Sequence, residues 1–177
     1  MKNNSPTHTF ETRLATHHAA KKSLADSLAL AESKGARFKE LAAAGDLEDR
    51  AVIAELIELQ MFNALFPTRI PALEQNVLDS ENAALESVND FIMEHLGPRS
   101  RALLAMTRAS VAKQLSPLIG AGQSLDLAVT QSLPVRELER LSVPSQTVSQ
   151  PCGGVGAHAD RVLSAWNRLL ELEAQPA

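Results

Sequence analysis

The sequence predicts an all-α fold: an antiparallel bundle of three to four long helices followed by shorter C-terminal helices. Three observations carry this. The apolar fraction is 45%, yet only 3% is aromatic and there is no Tyr, so the apolar content is mainly Ala and Leu, which favour helix. Nowhere do Val, Ile, Thr and aromatic residues alternate over a strand's length between turn signals. The third observation is the run 46–66, the densest stretch of large aliphatic and aromatic side chains in the chain. A chain of 177 residues usually forms one domain, and at that size folding removes roughly 70% of the extended chain's surface from water.

Residues 1–9, with Asn3, Asn4, Ser5 and Pro6, read as a disordered lead. A bundle domain is expected over 10–141. Its first helix spans about 10–44. The apolar stripe there steps by fours and threes through Phe10, Leu14, His17, Lys21, Leu24, Leu28, Ala31, Gly35, Phe38 and Ala42, a heptad pattern of coiled-coil type interrupted by His, Lys and Gly. Gly45 suits a helix C′ position and Asp46 an N-cap, which predicts a tight hairpin into the second helix.

On that second helix, 46–66, Glu48, Glu55 and Glu58 share one sector at 100° per residue. Val52, Ile53, Leu56, Ile57, Leu59, Met61 and Leu65 spread over most of the remainder. An ordinary surface helix has an apolar stripe a little over ~100° wide, and this one is roughly twice that. The helix should therefore be the inner member of a bundle or meet a second chain, with the glutamates as its water-facing side. Pro67 and Pro71 are expected to stop it, because proline lacks a backbone donor and disfavours helix in the residue before it.

A third helix is expected over 71–96, turning at Gly97-Pro98 into a fourth over 99–116, which Pro117 ends. Two short helices follow, near 124–132 and 134–141, separated by proline. Residues 142–157, rich in Ser, Pro, Gln and Gly, read as a flexible linker. A C-terminal amphipathic helix within 158–177 carries the single Trp, Trp166, and should fold back on the body or dock on a partner.

Charge is unevenly distributed within the net −4. Residues 10–45 sum to +2, 46–96 to −9 and 97–141 to +3, so basic flanks should cover an acidic middle. The lone Cys152 forms no internal disulfide and no thiolate-rich metal site. Together with a polar N-terminus and no long apolar run, it predicts a cytoplasmic protein.

The candidate chemistry is sparse. Glu86, Asp90 and Glu94 stand at steps of four and would repel one another by a few tenths of a kcal/mol per pair. They are weak candidates for a metal site, against the plainer reading of a face that is solvated or paired with Arg99, Arg101 and Arg108. No Glu-x-x-His pair of the di-iron kind is present, and the five histidines lack metal spacing. Cys152-Gly153-Gly154 precedes a helix and invites comparison with a phosphate loop, but no strand leads into it. Residues 125–141 place Ala128, Ser132, Val135 and Leu138 at the inward spacing of a helix-turn-helix, with Arg136 and Arg140 outward.

No hydrolase, zincin or paired-cysteine motif occurs, so neither a cofactor nor an enzymatic role is expected. The expected function is a non-catalytic helical protein that self-associates or binds a helical partner through Val52, Ile53, Leu56, Ile57, Leu59, Met61 and Trp166. Two alternatives are a nucleic-acid-binding regulator using 125–141 and a small-molecule or metal-binding bundle.

Overall fold

The computed structural model describes residues 6–44, 49–120, 122–141 and 146–174. Among them the chain is helical and contains no strand. The elements in order are α1 (His8–Ala44), α2 (Arg50–Phe91), a π turn (Ile92–Leu96), α3 (Gly97–Leu115), a 3₁₀ turn (Ser116–Leu118), α4 (Leu125–Gln131), α5 (Leu133–Leu141) and α6 (Gly154–Ala174).

The expected second and third helices are one. α2 runs through both Pro67 and Pro71. The reason is visible in its inner side, where Leu59 is buried and Phe62, Phe66, Ile70, Leu73 and Val77 are half-buried, in phase at steps of three and four across the prolines. A proline in a helix interior costs ~3 kcal/mol or more. Here both rings lie on exposed positions, where a carbonyl deprived of its amide partner can be met by water. Continuous burial of one stripe outweighs two local breaks.

The expected turn at Gly97-Pro98 is likewise replaced by continuing helix. Gly97 has helical angles, φ −63° and ψ −50°, and its N–H donates to Ile92 O, five residues back. A proline ring clashes with the carbonyl four residues before it, and the wider π turn ahead of Pro98 supplies the room. Further along, the signals act as expected. Pro117 closes α3 in a 3₁₀ turn, Ile119 is extended, and the Ser124 hydroxyl caps α4 by accepting from Leu127 N at 3.3 Å.

The chain divides into two compact units, one of residues 13–83 and one formed by residues 1–12 and 84–177. In the latter, the described residues have a well-filled core. Phe10, Val88, Ile92, Leu96, Val135, Val155, Val162 and Leu169 are fully buried. Phe91 sits at its centre, its ring 4.9 Å from Phe10 and 5.2 Å edge-on from Trp166, geometries that add ~0.5–1.5 kcal/mol per pair beyond area burial. α6 starts four residues earlier than expected and folds back to bury Val155, Ala159, Val162, Trp166 and Leu169. Part of the expected linker is held as well: Asn89 Nδ2 donates to Val148 O at 2.9 Å, and Val148 N donates to Asn89 Oδ1 at 3.1 Å.

The unit of residues 13–83 is a hairpin of α1 against α2. Contacts between Arg37 and Glu55, Lys34 and Glu58, and His17 and Ser80 run in opposite directions along the two helices, so the hairpin is antiparallel. Its α1 seam follows His17, Leu24, Ala31 and Phe38 as expected, but the alternate positions are Ala20, Ser27, Lys34 and Leu41, while Lys21, Leu28 and Ala42 are exposed. One half of the heptad is therefore shifted by a residue. Among the described residues of this unit, only His17, Ala20, Leu41 and Leu59 are buried, each still 4–8% exposed.

Candidate interaction surface

The orientation of α2 in the hairpin decides what chemistry it presents. Arg37 reaches across from α1, its Nε donating to Glu55 Oε1 at 2.9 Å and its second nitrogen to Oε2 at 3.4 Å. Lys34 lies 3.6 Å from Glu58 and 4.5 Å from the centre of the Phe62 ring. The hydrogen bond from Arg37 holds the Glu55 carboxyl below its ordinary pKa and, in return, raises that of Arg37. Of the glutamate side expected to meet water, Glu58 is exposed as expected, whereas Glu55 is half-buried against Arg37; Glu48 lies outside the described residues.

The opposite side of α2 is apolar and open. Ile57, Met61 and Leu65 are 54%, 59% and 57% exposed, at steps of four along one side of the helix. Of the other expected contact residues, Val52, Ile53 and Leu56 are half-buried and Leu59 is 5% exposed. Trp166 is only 6% exposed, inside the core of the other unit, with the Arg99 guanidinium 5.2 Å from its ring centre. It is used up in packing. Leu65 belongs to the surface although the expected contact set omitted it; its place four residues after Met61 was the available signal.

The other candidates separate. Glu86, Asp90 and Glu94 are exposed, and among the described residues no three His, Cys, Asp or Glu side chains converge as metal ligands. Two of the three arginines expected to answer them, Arg99 and Arg108, bind elsewhere. Arg99 Nε bonds both carboxylate oxygens of Glu173, at 2.7 and 2.8 Å, and Arg108 donates to Glu139 at 2.6 Å.

α4 and α5 do turn Val135 and Leu138 inward and leave Arg136 and Arg140 exposed. Their corner is the single residue Ser132, whereas a helix-turn-helix uses a turn of three to four residues. Glu137 is paired with Arg168. At the glycine loop, Gly153 and Gly154 have φ of 81° and 82°, and Arg161 donates to the Cys152 carbonyl at 3.0 Å. That geometry starts α6 and ties the turn to its own helix.

Among the described residues, no helix is long and apolar enough to cross a membrane. No family model matches the chain, and no curated protein or solved structure does so either.

Proposed function

We propose that this protein is a non-catalytic helical interaction protein that self-associates through the outer side of α2. The observation that supports this reading is the exposure of Ile57, Met61 and Leu65 on the side of α2 turned away from α1. Fully burying such a side chain is worth ~1.5–3 kcal/mol, and each has roughly half of that still to gain. A hairpin of two helices with four buried residues among those described also lacks a core of its own. Two hairpins stacked through α2 supply four helices, enough to enclose a bundle core. The multi-helix bundle expected from the sequence then forms between copies. The lone Cys152 suits a reducing compartment, and we place the protein in the cytoplasm on that ground.

Light scattering coupled to size exclusion tests this at tens of micromolar. The expected result is a mass of about twice the 19.0 kDa chain. Met61→Asp should return the monomer mass with an unchanged circular dichroism spectrum, because the wild-type side chain is mostly exposed. A wild-type monomer at these concentrations ends the proposal.

A further inference from the structure

The outer stripe of α2 has an internal symmetry that says how a second copy would sit. From Arg50 the exposed positions recur at steps of four and three through Ala54, Ile57 and Met61 to Ala64. From Leu65 they run on through Thr68, Ala72 and Gln75 to Asp79, all exposed, so the second series is the first in reverse. Reflecting the numbering about the bond between Ala64 and Leu65 carries the stripe onto itself.

The chemistry follows the reflection. Ile57 maps onto Ala72, Met61 onto Thr68 and Leu65 onto Ala64, so each large apolar side chain meets a small one. Ala54 maps onto Gln75. The two charged residues of the stripe stand at its ends with opposite signs, and Arg50 maps onto Asp79. Neither makes an ion pair among the described residues; Asp79 accepts one hydrogen bond, from Gln75 Nε2 at 2.7 Å.

We infer that two copies of this chain pair α2 against α2 in antiparallel fashion about a two-fold axis at Ala64–Leu65, with Arg50 of each copy facing Asp79 of the other. The inference rests on the self-association proposed above and specifies its register. A two-fold interface must be self-complementary, residue i meeting j and j meeting i, and large-over-small alternation with steps of three and four is what lets helices interdigitate. Parallel pairing sets Arg50 on Arg50, Asp79 on Asp79 and Ile57 on Ile57. Charge and volume both oppose it. Facing antiparallel helices bring residues that sum to 129 to the same height, whereas residue 61 of one copy stands seven residues, about 10 Å, from residue 61 of the other. A disulfide tolerates a Cα separation of no more than ~7 Å.

Cysteine cross-linking of the full chain in a Cys152→Ser background reads this register directly. Ala64→Cys alone is expected to give a covalent dimer under mild oxidation, as is the double variant Met61→Cys/Thr68→Cys. Met61→Cys alone and Thr68→Cys alone are expected to give none. In the same background, Arg50→Glu should raise the dimer Kd about threefold to tenfold, the scale of exposed ion pairs, and Asp79→Arg added to it should restore the wild-type value. Cross-linking by Met61→Cys alone overturns the antiparallel register. A dimer by light scattering in which neither Ala64→Cys nor the double variant cross-links overturns the register while leaving self-association standing. A wild-type monomer overturns both.

Discussion

His158 is a buried imidazole, 4% exposed, whose Nε2 has no hydrogen-bond partner among the described residues. Burial, with Arg161 nearby as a second cause, pushes its pKa below the ordinary histidine value. The folded state therefore favours the neutral ring, while the unfolded chain takes up a proton as pH falls below ~6.5. Stability is lost on acidification through that range. Replacing it, His158→Leu, should flatten the dependence of melting temperature on pH between about 7 and 5; an unchanged slope would place the titrating group elsewhere. Glu55 contributes at lower pH. Its carboxyl is held below the ordinary value by Arg37, so its contribution is present above the unfolded value, ~4.3, and disappears as pH falls further. Glu55→Gln should remove that component from an acid titration followed by helicity. The pair is exposed and the effect correspondingly small.

At the scale of elements, helix content and several helix ends were legible because they depend on local chemistry: the Ser124 cap, the stop at Pro117, the corner before Pro134. The length of α2 was not. Proline rules describe a local cost, and here the cost competes with a stripe from Leu59 to Ala84 that stays in phase. That phase was present in the sequence, and following it past Pro67 would have joined the two helices. The cost is still there to be recovered. Pro67→Ala and Pro71→Ala should each raise stability, by up to ~3 kcal/mol, in chemical denaturation. A loss would mean that the prolines shape α2 for its packing. The candidate surface was legible in part: Ile57 and Met61 were identified, and Glu58 faces water as its sector implied, but the pairing of Glu55 with Arg37 was not foreseen. Long acidic side chains beside a seam can reach an opposing basic helix, and the opposite charges of 10–45 and 46–96 pointed to that.

For the molecule as a whole, the two units differ in how much they bury. The unit containing α6 has a core built on Phe91 and Trp166, whereas the hairpin of residues 13–83 buries four of its described residues, none of them completely. Amide exchange tracks such differences, since openings cost least where few apolar contacts must be broken. At low protein concentration the amides of residues 13–44 should exchange faster than those of 155–169, and raising the concentration should protect 50–79 by mass action. Equal and concentration-independent exchange in both units would contradict the self-association reading. Trp166 shows why residue type alone misled: an aromatic on the last helix served equally well as a docking residue or as core, and only the edge-on contact with Phe91 distinguishes the two.

The two prolines inside α2 also set a clock. No peptide bond is cis among the described residues, and a helix requires both Phe66–Pro67 and Ile70–Pro71 to be trans. In an unfolded chain each X–Pro bond is cis in roughly 10–30% of molecules and isomerises in ~10–100 s. A fraction of refolding chains therefore waits with α2 broken beside Ala64–Leu65, the centre of the contact surface. Such chains cannot pair until both bonds are trans, so assembly should show this slow phase and lose it when a prolyl isomerase is added.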